Sequence, residues 1–154
     1  MTPEQRQQFD QFGCIARCII ELARSKGHPI TDDEFCAQFD YLFREPEHQY
    51  GMLLTSQIAD VIKGLSLGGH FLTFRRYDAI VSRFDEGQRD ILVLSEIDLN
   101  DNATGLIDHC SLLKGINDHN FRLWTPLIGH TQWERDLEAQ VWDEKACHGV
   151  VLQP

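Results

Sequence analysis

One cysteine of this sequence stands where a helix is expected to begin. From Gly13-Cys14 onward, apolar residues recur at helical spacing, and Gly27 followed by Pro29 ends the pattern. Unpaired main-chain amides and the helix dipole stabilise negative charge at a helix N-terminus, so a cysteine there is favoured as a thiolate. The thiolate is the nucleophilic form of the side chain. Cys14 is therefore a candidate nucleophile, and an ordinary structural cysteine is the alternative.

A cysteine nucleophile also needs a base within hydrogen-bond reach, usually a histidine. Of the seven histidines, His109 is the best placed, because it lies in the middle of the predicted strand 106–116, which would hold it rigidly. On such a strand His109 shares a face with Ile107, Ser111 and Leu113. Taken alone, a histidine in this position is more often structural than catalytic.

The order and spacing of these residues resemble the papain-like cysteine peptidases. The resemblance is closest to their small bacterial branch, which includes the peptidase domains of bacteriocin exporters that remove double-glycine leader peptides. In that superfamily a glutamine about six residues before the cysteine supplies an oxyanion donor, and Gln8 stands at that spacing from Cys14. Gln11 is the second candidate. The resemblance spans roughly residues 8–126 and rests on few identities.

The third catalytic position departs from the pattern of that superfamily. There an Asp or Asn on the strand after the histidine orients it, often in an Asp-Pro pair, whereas this chain has Thr125-Pro126. Threonine can accept a hydrogen bond from an imidazole N–H, but it carries no charge to stabilise imidazolium. Three accounts stay open: a Cys14–His109 dyad with Thr125 as a weak orienter, which we favour; another acid, Asp108 or Asp118; or a degenerate site. Ile15 is a second departure, because a glycine commonly follows the cysteine.

The resemblance implies a cysteine hydrolase that cleaves a peptide or amide bond through a thioester. It also implies a peptide or protein substrate and no cofactor. Two other functions use the same scaffold or the same chemistry: a degenerate papain-like binding module, and an acyltransferase of the transglutaminase or arylamine acetyltransferase type.

The sequence lacks the motifs of several other functions. It has no Cys-x-x-Cys and no His-Glu-x-x-His motif, so we expect no metal. Gly68-Gly69 has neither the lysine nor the spacing of a phosphate-binding loop. The net charge of −10 argues against a nucleic-acid partner. No apolar run approaches the ~18 residues of a membrane span. The sequence does not indicate an oligomeric state.

The cysteines and the N-terminus bear on the compartment. The first residues do not have the basic and apolar regions of a signal peptide. Five cysteines are an odd number in a chain long enough not to need disulfides, which favours reduced thiols. We therefore expect a cytoplasmic protein or a delivered effector. Cys18 and Cys36 lie within apolar stripes and are predicted to be core residues.

The elements that must position these residues indicate one α+β domain over residues 1–154. Helices are predicted from Cys14, from a capping box at Thr31–Glu34 to about Phe43, and from near Thr55. Strands are then predicted over 70–77, 90–97, 106–116 and 120–127. A hairpin turn at 117–120 is predicted to join the last two of these strands. A second capping box at Thr131–Glu134 predicts a helix with Trp133, Leu137 and Val141 facing inward. Residues 149–153 are predicted to form a closing strand. Helices followed by an antiparallel sheet indicate the α+β class, and the resemblance implies a papain-like fold.

Overall fold

The computed structural model describes residues 1–44, 49–67, 70–74, 77–87, 91–95, 109–126, 128–134 and 148–153. The chain forms two compact units, Met1–Gly68 and Gly69–Pro154. The first unit is helical, and the second carries the β-sheet. The expectation of a single domain over residues 1–154 stays a prediction.

The part of the first unit that the structure describes contains four α-helices and two short 3-10 turns. The helices are α1 (Pro3–Phe12), α2 (Cys14–Ser25), α3 (Asp32–Gln38) and α4 (Ile58–Gly64), with 3-10 turns at Asp40–Leu42 and Thr55–Gln57. The starts predicted at Cys14 and near Thr55 are confirmed. Gly27, with φ of +81°, follows the end of α2 in a backbone conformation that favours glycine.

Helix α1 was not predicted from the sequence, although its start carries a capping box. The Thr2 hydroxyl accepts a hydrogen bond from the Gln5 amide at 3.1 Å, and the Gln5 side chain accepts one from the Thr2 amide at 2.9 Å. Pro3 occupies the first helical position, where its missing N–H costs nothing. Apolar residues are sparse in this segment, so helical periodicity gave no signal there.

The capping box that starts α3 is confirmed. The Thr31 hydroxyl accepts from the Glu34 amide at 3.2 Å, and the Glu34 carboxylate accepts from the Thr31 amide at 2.8 Å. The Thr31 amide and the Thr31 hydroxyl both donate to the Glu34 carboxylate and lower its pKa. The helix ends at Gln38 rather than near Phe43, because the chain tightens into the 3-10 turn. That turn still buries Phe39 and Phe43, which explains why the apolar spacing continues past the end of the helix.

Ion pairs join α3 to the first two helices. Arg6 pairs with Asp32 at 3.0 Å and with Asp33 at 3.2 Å. Arg17 of α2 pairs with Asp10 of α1, and its second contact is Asp32 at 3.5 Å. The start of α2 is therefore fixed by charge contacts as well as by apolar packing.

The described strands of the second unit form one six-stranded antiparallel sheet, in the order β1-β6-β2-β3-β4-β5. The strands are β1 (His70–Phe74), β2 (Ile91–Ser95), β3 (His109–Ile116), β4 (Asn120–Thr125), β5 (Gly129–Glu134) and β6 (His148–Gln153). Five of them match predicted strands, and β6 begins one residue before its predicted start. Four successive residues of β3, 110–113, are buried, so side chains on both faces of this strand are buried at that point.

Two parts of the second unit differ from the predictions. The helix start predicted at Thr131–Glu134 is wrong, because these residues belong to β5 and pair with β4. A Thr-x-x-Glu sequence can cap a helix, but here the chain turns back at Gly129, with φ of +86°, and the ladder to β4 satisfies its main chain instead. Leu137 and Val141 lie outside the described residues. Helix α5 (Tyr77–Asp85) was missed.

Candidate active site

Cys14 is the first residue of α2 and is partly exposed. The residue before it, Gly13, has no side chain that could cap the amides of the first turn. No side-chain oxygen of Gly13 therefore accepts hydrogen bonds from those amides. The amides and the helix dipole can stabilise negative charge at Cys14. This is the environment in which a thiolate is stabilised.

Gly13 is required at this junction for steric reasons. Its amide donates to the Phe9 carbonyl at 2.8 Å, which ends α1, and its own carbonyl accepts from the Arg17 amide at 2.9 Å, which starts α2. A Cβ on Gly13 would lie 2.5 Å from the Phe9 carbonyl oxygen. Because that atom belongs to the main chain, a side chain here would displace one of the two helices.

Gln8 lies on α1, and its side-chain amide has a defined orientation. Its Oε1 accepts a hydrogen bond from the main-chain N–H of Tyr50 at 2.7 Å. A main-chain N–H only donates, so the Gln8 atom that faces Tyr50 must be the oxygen. The Nε2 end therefore points away from Tyr50 with its two hydrogens available as donors. Gln11, the second candidate, is exposed on the same helix.

Tyr50 is a residue that the sequence did not indicate as part of the site. It lies 42 positions after Gln8, and the contact uses its main chain, which has no residue-type signature. Gly51 beside it has φ of +85°, which a glycine adopts without strain. The Tyr50 ring lies 5.3 Å from that of Phe43.

Cys36 differs from Cys14 in its surroundings. Its side chain is 1% exposed, and burial raises the pKa of its thiol to about 11, with the Asp32 carboxylate acting in the same direction. Burial also raises the pKa of the Tyr50 hydroxyl to about 12, and the neighbouring Cys36 side chain acts in the same direction. Cys36 is thus a neutral core thiol at physiological pH, as predicted, and Cys18 is also fully buried.

His109 is the first described residue of β3 and pairs with Ser95 of β2. Asp108 lies outside the described residues. Asp118 is exposed at the tip of the β3–β4 hairpin, where the Asn117 side chain accepts from the His119 and Asn120 amides at 2.9 and 2.7 Å. The predicted turn at 117–120 is confirmed.

Thr125 ends β4 and is 2% exposed. Its Oγ1 lies 3.0 Å from Oγ of Ser111, which is also 2% exposed, so the two buried hydroxyls share one hydrogen bond. A hydroxyl has one donor and two acceptor positions, so Thr125 retains capacity to accept a second bond. Its role in orienting His109 stays a prediction.

Valine in place of Thr125 is expected to destabilise the protein by about 1–3 kcal/mol, because it leaves the Ser111 hydroxyl buried without its partner. Urea denaturation measures this loss. The double variant Ser111→Ala/Thr125→Val is the control, since removing both partners is expected to recover most of it. Additive losses would contradict a shared bond.

The four predicted site residues fall into two groups. Gln8 and Cys14 belong to the first unit, on consecutive helices, and His109 and Thr125 belong to the second, on neighbouring strands. The assembly of these two groups into one catalytic site stays a prediction.

Some properties of the described residues bear on other functions. No described helix is long and apolar enough to cross a membrane. Among the described residues, no group of three or more His, Cys, Asp and Glu side chains could hold a metal ion. Cys14, Cys18, Cys36 and Cys110 are not in disulfides within the described part of the chain, and Cys147 lies outside it.

Of the comparisons with known proteins, the one with solved structures gives a match. No protein-family model matches the chain, and no curated protein matches it. Among solved structures, it is similar to the peptidase domain of Streptococcus ComA, a bifunctional ABC transporter involved in a quorum sensing pathway. The TM-score is 0.63 with 10% sequence identity, and the match covers 92% of each chain. At that identity the likeness shows the fold alone, and the α+β fold class predicted from the sequence is confirmed.

Proposed function

We propose that this protein is a cysteine hydrolase that cleaves a peptide or amide bond. Cys14 is the nucleophile, His109 the base, and Gln8 and the Cys14 main-chain N–H are the oxyanion donors. The observation that carries the proposal is a partly exposed Cys14 at the start of a helix, in a chain whose fold is that of a peptidase domain over 92% of its length.

The proposed reaction has two stages, and protons balance in each. His109 takes the proton of the Cys14 thiol as the sulfur bonds to the substrate carbonyl carbon, and the resulting oxyanion accepts bonds from Gln8 Nε2 and the Cys14 amide. The C–N bond then breaks, the proton on His109 passes to the leaving amine, and a thioester remains. Water gives a proton to His109 as it attacks the thioester, the C–S bond breaks, and the thiol is restored.

The substrate we propose is a peptide or a protein. The net charge of −10 disfavours a polyanionic partner such as a nucleic acid. We also propose a reducing compartment such as the cytoplasm, because a cysteine nucleophile must stay reduced to act.

The rate of alkylation of Cys14 by iodoacetamide against pH tests the proposal. We expect rapid labelling well below pH 7 in the wild type, because a neighbouring imidazolium and the helix N-terminus favour the thiolate. In His109→Ala the labelling should shift upward toward the ordinary thiol pKa of about 8.5. Mass spectrometry of the peptide that contains Cys14 separates its labelling from that of the other cysteines.

Two controls make the result specific. His119→Ala removes an exposed histidine at the β3–β4 hairpin and should leave the profile unchanged. A Cys14 thiol that titrates near 8.5 in both the wild type and His109→Ala would contradict the proposal and favour a binding module. If Cys14 is reactive, products formed with and without an added amine distinguish a hydrolase from an acyltransferase.

A further inference from the structure

A second feature beside Gln8 is the turn at residues 49–52, which we call the Tyr50 turn. It contacts α1 at two consecutive residues. The Tyr50 N–H donates to Gln8 Oε1 at 2.7 Å, and a Cβ on Gly51 would lie 2.4 Å from Phe9 Cδ2. Gly51 therefore packs directly against the Phe9 ring, which only a residue without a side chain can do at this distance.

The other side of the Tyr50 turn is anchored to α3 and to the segment that follows it. The Tyr50 ring packs on Phe43, with ring centroids 5.3 Å apart, and the Tyr50 side chain neighbours Cys36 of α3. Within the turn, the Met52 amide donates to the Gln49 carbonyl at 3.1 Å. The donor that faces Gln8 is thus held by contacts on both sides, and it is a main-chain group with little rotational freedom.

We propose that the Tyr50 turn is a positioning element for the oxyanion donor: the Tyr50 N–H holds the Gln8 carboxamide oxygen and thereby presents Nε2 as a donor to the reacting carbonyl. This inference rests on the proposed function. A glutamine side chain has three rotatable torsions and two nearly isosteric amide ends, so without such a partner it would lose entropy on ordering and could present the wrong end. The Tyr50 N–H removes both problems before substrate binds.

Two reactions of Cys14 separate nucleophilicity from oxyanion stabilisation. Alkylation by iodoacetamide displaces iodide at a saturated carbon and forms no oxyanion, whereas acylation by p-nitrophenyl acetate passes through one. The ratio of the acylation to the alkylation rate constant therefore reports the oxyanion donors, and the alkylation rate alone reports the thiolate. Neither probe requires the natural substrate.

The deciding variant removes the Tyr50 N–H, by replacing Tyr50 with its α-hydroxy acid so that the main-chain amide becomes an ester. The Gln49 carbonyl becomes a weaker acceptor for the Met52 N–H in the same variant, so the loss of that bond needs its own control. The acylation-to-alkylation ratio is expected to fall roughly ten- to a hundredfold, part of the ~10²–10³ that one oxyanion donor contributes. The same ester at Met52 is the matched control. It removes a hydrogen bond that helps to hold the same turn but does not touch Gln8, so the ratio should fall clearly less than in the Tyr50 ester.

A second background shows whether the effect passes through Gln8. In Gln8→Met the ratio should already be low, and the Tyr50 ester should lower it no further, because the group it positions is gone. Hydrogen exchange adds a readout independent of reactivity: the Tyr50 amide should lose protection in Gln8→Met and keep it in Gln8→Glu, which retains an acceptor.

The possible results are distinct. An unchanged ratio in the Tyr50 ester, an equal fall in the Met52 ester, or a further fall in the Gln8→Met background would each overturn the positioning role while leaving Cys14 as the nucleophile. Alkylation of Cys14 no faster than that of an ordinary thiol would instead overturn the proposed function, and the inference with it.

Discussion

Alanine in place of Cys14 is expected to abolish acyl transfer, with turnover falling roughly 10⁶-fold, to the level that the remaining groups give with water. The reason is that, in the proposed mechanism, His109 and the oxyanion donors assist the formation of the bond between the Cys14 sulfur and the substrate carbonyl carbon. Without the sulfur that bond cannot form. The burst of p-nitrophenolate from p-nitrophenyl acetate, and the hydrolysis of peptides selected from a library, measure the loss. The free energy of unfolding should change little, because Cys14 is partly exposed at the first position of its helix.

Cys18 provides the matched control for that experiment. It lies one turn further along α2, is fully buried, and is not a nucleophile in the proposed mechanism. Cys18→Ala should keep the burst and lose about 1 kcal/mol of stability from the smaller side chain. If Cys14→Ala retained the burst, Cys14 could not be the nucleophile. If Cys18→Ala lost it at a temperature where it is folded, the loss in Cys14→Ala would not be specific to the nucleophile.

The sequence predicted the elements that local signals define. The start of α2 at Gly13-Cys14 and the capping box at Thr31 depend on residues within one or two turns, and both are confirmed. The failure at Thr131–Glu134 has a physical reason: a local pattern that suits a helix was outweighed by main-chain pairing with β4, which is a tertiary interaction.

The candidate site shows the same limit more sharply. The residue types of Cys14, Gln8 and His109 carry chemistry and could be recognised by spacing. The partner of Gln8 could not, because any residue except proline offers a main-chain N–H and 42 positions separate the two. Likewise, the sequence shows that Thr125 stands where the resembling superfamily has an Asp or Asn. Only the structure shows that the Thr125 hydroxyl shares a hydrogen bond with Ser111.

Phe9 connects the features that surround Cys14, the proposed nucleophile, and Gln8, the proposed oxyanion donor. Its ring is fully buried and lies against two glycines: a Cβ on Gly51 would lie 2.4 Å from Cδ2, and a Cβ on Gly13 would lie 3.1 Å from the same atom. The guanidinium carbon of Arg17 lies 5.0 Å from the ring centroid, which adds a cation–π contact. Phe9 thus supports the end of α1, the start of α2 and the Tyr50 turn at once.

Phe9→Ala is therefore expected to lower the free energy of unfolding by about 3–5 kcal/mol, the usual cost of removing a buried phenylalanine. Two contacting glycines cannot fill the cavity, so the loss should lie toward the upper end of that range. Phe12→Ala, on the same helix but partly exposed, is the matched control and should cost clearly less. Urea denaturation of both variants checks the difference. Equal losses would mean that Phe9 is an ordinary core residue, and that the junction of α1, α2 and the Tyr50 turn depends on other contacts.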